Sequence, residues 1–173
     1  FRLVPVFAAG VICMLPFIPQ SIYNRILTIG NVKDSSSSYR ITIWTGVLKM
    51  LKEYWFTGIG LGPGAFATIF PKYALGDTAV ARHSHMQFME MLVEGGVLSF
   101  FAYIWMLVSL VKRCCHKAVT AKNINVKYYA CAAASSVTGI ALIGMFEYCW
   151  FYPRVMFAFF ISVGLCLAVL REK

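Results

Sequence analysis

The stretch MQFMEMLVEGGVLSFFAYIWMLVSLV, residues 86–111, decides the class of fold. It is longer than the roughly 20 apolar helical residues that cross a hydrocarbon core, so it predicts a transmembrane helix. Two carboxylates, Glu90 and Glu94, nevertheless lie near its start. Because an isolated charge inside a span costs roughly 2.5–3.5 kcal/mol, we expect both to face a cavity or the interior of a bundle. Alternatively, they pair with bases on other helices and only fix packing.

The composition of the whole chain indicates the same class. Of its 173 residues, 60% are hydrophobic and 13% are charged, whereas globular domains carry about 25% charged residues. We predict an all-α, polytopic membrane bundle that forms one domain over residues 1–173. FRLVPVFAAG at the start lacks the basic head and cleavage site of a signal peptide, so we expect a span there and a longer multi-pass parent protein. Four transmembrane helices are expected near residues 3–19, 86–111, 128–148 and 153–170.

The formal charge of +9 indicates membrane topology rather than nucleic-acid binding. The bases are not gathered into one groove interleaved with aromatic residues. Several lie in the acid-free loop KRCCHKAVTAKNINVK, residues 112–127, which the positive-inside rule places in the cytoplasm. Residues 20–85 then form an extracytoplasmic loop, and residues 147–154 a short turn on the same face. The predicted location is the cytoplasmic membrane, with the lipid bilayer as a partner and no nucleic acid.

The six cysteines predict neither a disulfide nor a metal site. None lies in the large outer loop, where oxidation would occur. The sequence CCH at residues 114–116 lacks a second ligand pair at zinc-finger spacing. We therefore expect a basic, membrane-adjacent loop at this position rather than a metal site.

The outer loop is predicted to contain an amphipathic helix, because apolar residues recur in it at three- and four-residue spacing. Ser37 or Ser38 can supply its N-cap. Arg40 lies four residues before Trp44, on the apolar side, where a guanidinium needs an acceptor. Alternatively, Arg40 snorkels to lipid phosphate or caps a neighbouring helix. The apolar stripe comprises Trp44, Val47, Leu48, Leu51, Tyr54 and Trp55.

A glycine-rich turn follows in TGIGLGPGAF, with Gly58, Gly60, Gly62 and Gly64 at every second position. This spacing prevents a regular helix and lets backbone N–H groups approach an anion closely. It matches neither the dinucleotide-binding fingerprint nor the P-loop pattern. A purely structural turn between two outer helices is the alternative, and the local sequence favours it.

Two histidines stand at the outer end of the second span. If the helix starts near Ser84 as its N-cap, His83 and His85 project along different stripes, since successive residues turn by about 100°. We therefore expect that the two histidines do not share one ligand and that no metal is bound between them.

The order of these motifs resembles the C-terminal core of the O-antigen ligase and Wzy polymerase superfamily of membrane glycosyltransferases. In that family an Arg four residues before a Trp opens an outer helix, a glycine-rich turn follows, and a His begins a span that contains a Gly. The sequence departs from the pattern at Met86, where the family carries a polar residue, and at Phe56 and Thr57, which replace a proline. The matching positions are Arg40, Trp44, Gly58, Gly60, Gly62, Pro63, Gly64, Phe66, His85 and Gly96, and in the closing turn Glu147, Trp150, Tyr152 and Arg154.

The resemblance implies an enzyme of surface polysaccharide biosynthesis. It would transfer a glycan from an undecaprenyl-pyrophosphate carrier to an acceptor hydroxyl, with inversion and without a metal, nucleotide or other cofactor. Arg40 is the expected partner of the pyrophosphate leaving group, and His85 the expected general base. The expected substrate-binding residues are Arg154, Arg82, Lys72, His83, Gly60, Gly62, Gly64 and Tyr152.

Other functions stay open at this point. Motif order does not separate an O-antigen ligase-like enzyme from a Wzy-type polymerase. A polysaccharide or lipid transporter or flippase would share the composition, but transport sites normally lie near the bilayer midplane. Here the ionisable residues gather at the outer ends of spans, apart from Glu94, which favours chemistry at the outer interface. A purely structural membrane domain would leave Arg40 and the glycine-rich turn unexplained.

Overall fold

The computed structural model describes residues 19–21 and 35–171. The first predicted span, residues 3–19, lies outside the described residues apart from Pro19. Every regular element in the described part of the chain is a helix, as the prediction of an all-α chain requires. Arg40–Lys173 form one compact unit.

Helix α1 comprises Ser35–Tyr54, so a helix is present where one was predicted, and it begins in the serine-rich stretch. The predicted apolar stripe is right at Val47 and Leu51, which are buried. Leu48 and Trp55 of the stripe are 58% and 54% exposed, because both project more than about 100° away from Ile43 round the helix. The buried face consists of Ile43, Gly46, Val47, Met50 and Leu51.

A short helical segment packs on that face. Helix α2, Pro63–Ile69, continues into the 3-10 helix Phe70–Lys72, and a second 3-10 helix spans Gly76–Val80. Phe66 and Phe70 are fully buried and stack with their ring centroids 4.7 Å apart. Gly46 leaves room for this pair, since a Cβ there would lie 3.0 Å from Phe70 Cε2.

Helix α3, Gln87–Thr120, is interrupted at Gly96, whose φ is 69° and ψ −170°. The interruption frees the carbonyls of Val93 and Glu94, which an unbroken helix would use four residues further on. They accept instead from Ile59 N at 2.8 Å and Gly60 N at 3.0 Å. In return, Val97 N donates to the Trp55 carbonyl at 2.9 Å, so the glycine-rich turn and the helix break share one set of backbone hydrogen bonds.

Three apolar helices form the bundle beyond the break: α3, α4 at Ile124–Gly144 and α5 at Pro153–Arg171. By length and composition, α3 and α4 could each cross a membrane, while the apolar part of α5, Pro153–Ala168, is shorter. Helix α3 runs nine residues beyond its predicted end at 111, and α4 begins and ends four residues earlier than predicted. The buried bundle core includes Met91, Tyr103, Leu107, Leu110, Cys114, Val137, Phe159 and Cys166.

Candidate active site

The two histidines lie in an extended segment before α3, not on the helix. Met86 is the N-cap residue, and its backbone is extended, with φ −151°. His85 has a φ of 56°, which is uncommon for a residue with a side chain. Its N–H donates to His83 Nδ1 at 3.2 Å, and the two rings lie 4.2 Å apart. The prediction that the histidines project to different sides is therefore wrong, because the helix begins three residues later than Ser84.

Ser84 fixes this segment between two helices. It is fully buried. Its N–H donates to Glu90 Oε2 on α3 at 2.7 Å, and its carbonyl accepts from Trp44 Nε1 on α1 at 2.8 Å. Glu90 is thus buried in the bundle and bonded, as expected for a carboxylate near the start of a span. The residue between His83 and His85 is therefore bonded through both its N–H and its carbonyl.

Glu147 joins the two residues that the resemblance singles out. It lies in the link between α4 and α5, 107 residues from Arg40 and 62 from His85. Its Oε2 accepts from Arg40 at 3.3 Å, and its Oε1 lies 3.3 Å from His85 Nδ1. The three side chains are between 27% and 34% exposed. A cation, a carboxylate and an imidazole therefore meet at a surface that a substrate can reach.

This arrangement suits proton transfer next to a fixed cation. A carboxylate beside Nδ1 favours the tautomer with the proton on that nitrogen, which puts the lone pair on Nε2. The same carboxylate fixes the orientation of the ring, as in other carboxylate–histidine pairs. Arg40 donates one N–H to Glu147 and carries further donors in a planar fork that fits phosphate oxygens.

His83 stands behind His85 in an aromatic pocket. It is 6% exposed, and its ring lies 4.4 Å from that of Phe151 and 5.7 Å from that of Tyr148. Burial lowers the pKa of His83 to about 4, and the neighbouring His85 and Arg40 act in the same direction against Glu147. His83 is therefore neutral near pH 7, and its Nδ1 is the acceptor that orients the backbone of His85.

Folding stability should depend on His83 in the acid range. Its pKa falls from an ordinary 6.5 to about 4 on folding, so between these values the unfolded chain binds more protons and stability decreases as the pH falls. In thermal unfolding of the purified protein from pH 7 to 4, we expect the transition temperature of His83→Gln to fall less steeply than that of the wild type. Parallel slopes would contradict the burial of a neutral imidazole.

Glu94, on α3, accepts hydrogen bonds from the glycine-rich turn. Its Oε1 accepts from Gly62 N at 2.9 Å, and its carboxylate accepts from the Tyr148 hydroxyl at 3.3 Å. Gly60 N donates to its backbone carbonyl. Of these N–H groups only that of Gly62 meets a carboxylate, which belongs to the same chain, and that of Gly60 is used by a backbone carbonyl.

The remaining predicted site residues lie on separate elements. Arg82 is exposed directly before His83, Lys72 is exposed at the end of the first 3-10 helix, and Gly64 is exposed on α2. Tyr152, 52% exposed, follows the 3-10 helix Cys149–Phe151. Arg154 is exposed in the first turn of α5, beside a cavity of about 270 Å³ between α4 and α5. The structure brings together Arg40, His83 and His85 from the predicted set.

One group in the described residues has the composition of a metal site. His83, His85 and Glu147 each offer a ligand atom, and these atoms lie within 4.8 Å of one another. The two histidines are therefore close enough to share a ligand, contrary to the prediction from helical spacing. Arg40 nevertheless bonds to the only carboxylate of the group, and its positive charge opposes the binding of a cation. The arrangement is better suited to a proton than to a metal ion.

Sequence reasoning missed the bridge made by Glu147 and the anchor made by Trp44. Both residues were matched to the family pattern, but neither was given a role. The signal for Trp44 was its position one turn after Arg40. The bridge has no local signal, since Glu147 lies more than 60 residues from both partners.

A family model described as O-antigen ligase matches residues 1–104 of the 173-residue chain. The chain belongs to the O-antigen ligase family. Comparisons with curated proteins and with solved structures found no significant match. Membership makes the protein an integral membrane enzyme of polysaccharide biosynthesis, in keeping with its apolar helices. The O-antigen ligase match contains Arg40 and His85 and ends before Glu147.

Proposed function

We propose that this protein transfers a glycan from an undecaprenyl-pyrophosphate carrier to an acceptor hydroxyl at the extracytoplasmic face of the cytoplasmic membrane, as an O-antigen ligase-like enzyme. The observation that carries the proposal is the bridge from Glu147 to both Arg40 and His85, at 3.3 Å on each side. Family membership supplies the class of reaction, and the bridge supplies a leaving-group partner and a base beside each other.

Arg40 is proposed to stabilise the leaving group. As the bond between the anomeric carbon and the pyrophosphate oxygen breaks, negative charge develops on that oxygen. A guanidinium stays protonated and binds phosphate oxygens with two parallel N–H groups. Arg40 is fixed by Glu147 and by its place on α1, so its remaining donors are oriented before the substrate arrives. Arg82, Lys72 and Arg154 are proposed as exposed cations that bind the pyrophosphate and the glycan.

His85 is proposed as the general base. Its Nε2 takes the proton of the acceptor hydroxyl while the acceptor oxygen bonds to the anomeric carbon. Direct attack on the face opposite the pyrophosphate inverts the anomeric centre. Glu147 stabilises the imidazolium that forms, and His83 holds the strained backbone of His85. Tyr152 offers an exposed ring for a sugar.

Gly60 and Gly62 receive a supporting part in this proposal. Their N–H groups bind Glu94, so the glycine-rich turn positions α1 and α3 relative to each other rather than holding phosphate. This is the structural alternative that the sequence favoured for the turn. Gly64, which is exposed on α2, takes no part in these hydrogen bonds and stays a proposed substrate-binding residue.

The proposal is tested with the full-length protein in membrane vesicles supplied with an undecaprenyl-pyrophosphate glycan and candidate acceptors. Formation of a new glycosidic bond, with release of undecaprenyl pyrophosphate, is the expected result. A lipid-A core acceptor would identify a ligase, and a second glycan unit a polymerase. Movement of the lipid-linked glycan between leaflets without a new bond would overturn the proposal in favour of a flippase.

Transfer should continue after divalent metals are removed. We expect the same rate within about twofold in the presence of a chelator, because the proposed chemistry uses Arg40 where other enzymes use a metal ion. The measurement is the initial rate of glycan transfer with and without the chelator. Loss of activity that zinc restores would instead assign His83, His85 and Glu147 to a metal site.

A further inference from the structure

The inner half of α3 carries a groove lined mainly by basic side chains. Its volume is about 570 Å³, and its described lining contains no acidic residue. It lies at the end of α3 that the positive-inside rule places in the cytoplasm, at the opposite end of the helix from His85. The lining residues are Ser109, Lys112, Arg113, His116, Lys117 and Leu170.

An apolar groove continues from it along the same helix. This second groove has a volume of about 410 Å³ and shares Ser109 and Arg113 with the first. Trp105 and Met106 line it on the side away from the bases, and Trp105 is 75% exposed. Trp105, Ser109, Arg113 and His116 recur at three- and four-residue spacing, so they form one stripe on the helix. Along this stripe the surface changes from apolar to cationic.

We propose that these two adjoining grooves bind an anionic phospholipid of the cytoplasmic leaflet. Lys112 and Arg113 would contact the headgroup phosphate, and an acyl chain would lie against Trp105 and Met106. Basic pockets beside transmembrane helices at the cytoplasmic side suit such headgroups. The apolar groove favours a lipid over free phosphate, because free phosphate has no acyl chain to contact Trp105 and Met106. The proposal does not depend on the proposed glycan transfer, which takes place at the other end of α3.

The general attraction of a basic loop to an anionic membrane provides the comparison that the test needs. Lys122 and Lys127 lie in the same basic region but outside both grooves. Replacing them removes the same charge as replacing Lys112 and Arg113. A lipid site in the two grooves responds to the changes at Lys112 and Arg113 and not to those at Lys122 and Lys127.

The test is native mass spectrometry of the full-length protein, with phosphatidylglycerol, phosphatidylethanolamine or inorganic phosphate added at matched concentrations. Phosphatidylglycerol should bind to the wild type. The double variant Lys112→Gln with Arg113→Gln should lower the affinity for phosphatidylglycerol about 30-fold. Lys122→Gln with Lys127→Gln should change binding less than threefold. Trp105→Ala should lower the affinity for phosphatidylglycerol and leave the binding of inorganic phosphate unchanged.

Three results would overturn the proposal. Equal binding of phosphatidylethanolamine would remove the role of charge. Equal losses in the two double variants would indicate attraction to the basic surface as a whole. Competition by inorganic phosphate at millimolar concentration, with no effect of Trp105→Ala, would indicate an anion site without a lipid. Thermal unfolding of each variant without added lipid separates these outcomes from failure to fold.

Discussion

Replacement of His85 by asparagine is expected to lower the rate of glycan transfer about 100-fold or more. General base catalysis contributes roughly 10²–10⁴-fold, and asparagine has no basic nitrogen. Asparagine is chosen because it tolerates a positive φ better than most residues, and His85 has a φ of 56°. The loss should appear in kcat, with KM changed less than about threefold, because the imidazole acts on the transferred proton rather than on substrate binding.

Arg40 provides the companion to this experiment. Arg40→Gln removes the charge next to the leaving group and should lower the transfer rate about 100-fold, within the range for loss of one stabilising donor. Arg40→Lys keeps the charge but not the planar fork, so its transfer rate should lie between those of the wild type and Arg40→Gln. Lys49→Gln, which removes an exposed cation from the same helix, should transfer at the wild-type rate. Full activity of both His85→Asn and Arg40→Gln would contradict the proposed chemistry.

Gly96→Ala is expected to destabilise the protein by more than about 4 kcal/mol, which is exceptional for one methyl group. Gly96 has a φ of 69° and a ψ of −170°, a conformation that is essentially restricted to glycine. A Cβ there would also clash with the carbonyl oxygen of Phe56. The clash falls where Val97 N bonds to Trp55 O, so the variant should lose both the helix break and the turn docked on it. The measurement is the amount of monodisperse protein extracted from membranes, with its thermal unfolding temperature.

Gly64→Ala is the matched control. A Cβ at Gly64 would meet no atom within 4 Å, and the residue lies in helix α2 at a negative φ. Alanine there should be neutral or slightly stabilising, because glycine costs about 1 kcal/mol in a helix. Gly58→Ala should behave like Gly96→Ala, since its Cβ would meet the Glu94 carbonyl. Equal yields of Gly96→Ala and Gly64→Ala would contradict the close approach of turn and helix.

The helices could be predicted from the sequence because apolar length and periodicity are local properties. Helix α1, the long apolar helix α3 and the burial of Glu90 and Glu94 all follow from spacing and from the cost of a charge in hydrocarbon. The start of α3 could not be placed correctly. Ser84 has the composition of an N-cap, but its N–H and carbonyl are used by Glu90 and Trp44. Because these tertiary hydrogen bonds use the backbone of Ser84, the helix begins only at Gln87.

The candidate site follows from the sequence in two of its residues, which stay a prediction, and not in its connections. Arg40 and His85 followed from the resemblance, and each has a chemical reason to act on a pyrophosphate-linked sugar. The role of Glu147 needed the fold, because the link between α4 and α5 must come close to Arg40 on α1 and to His85 before α3 for the bridge to form. Gly60 and Gly62 show the converse. Their spacing allows anion binding, although the local sequence favours a structural turn, and only the fold shows that both N–H groups bond to Glu94.

The most direct test of the Arg40–Glu147–His85 site is a double-mutant cycle on the transfer rate, using Glu147→Gln, His85→Asn and the combined variant in the full-length protein. Asp77→Asn, which removes an exposed carboxylate from the 3-10 helix Gly76–Val80, serves as the control for charge. If Glu147 acts through His85, the single Glu147→Gln change lowers kcat about tenfold or more, while the combined variant falls less than about threefold below His85→Asn. Losses that multiply, or a Glu147→Gln enzyme as active as Asp77→Asn, would contradict the bridge as the basis of catalysis.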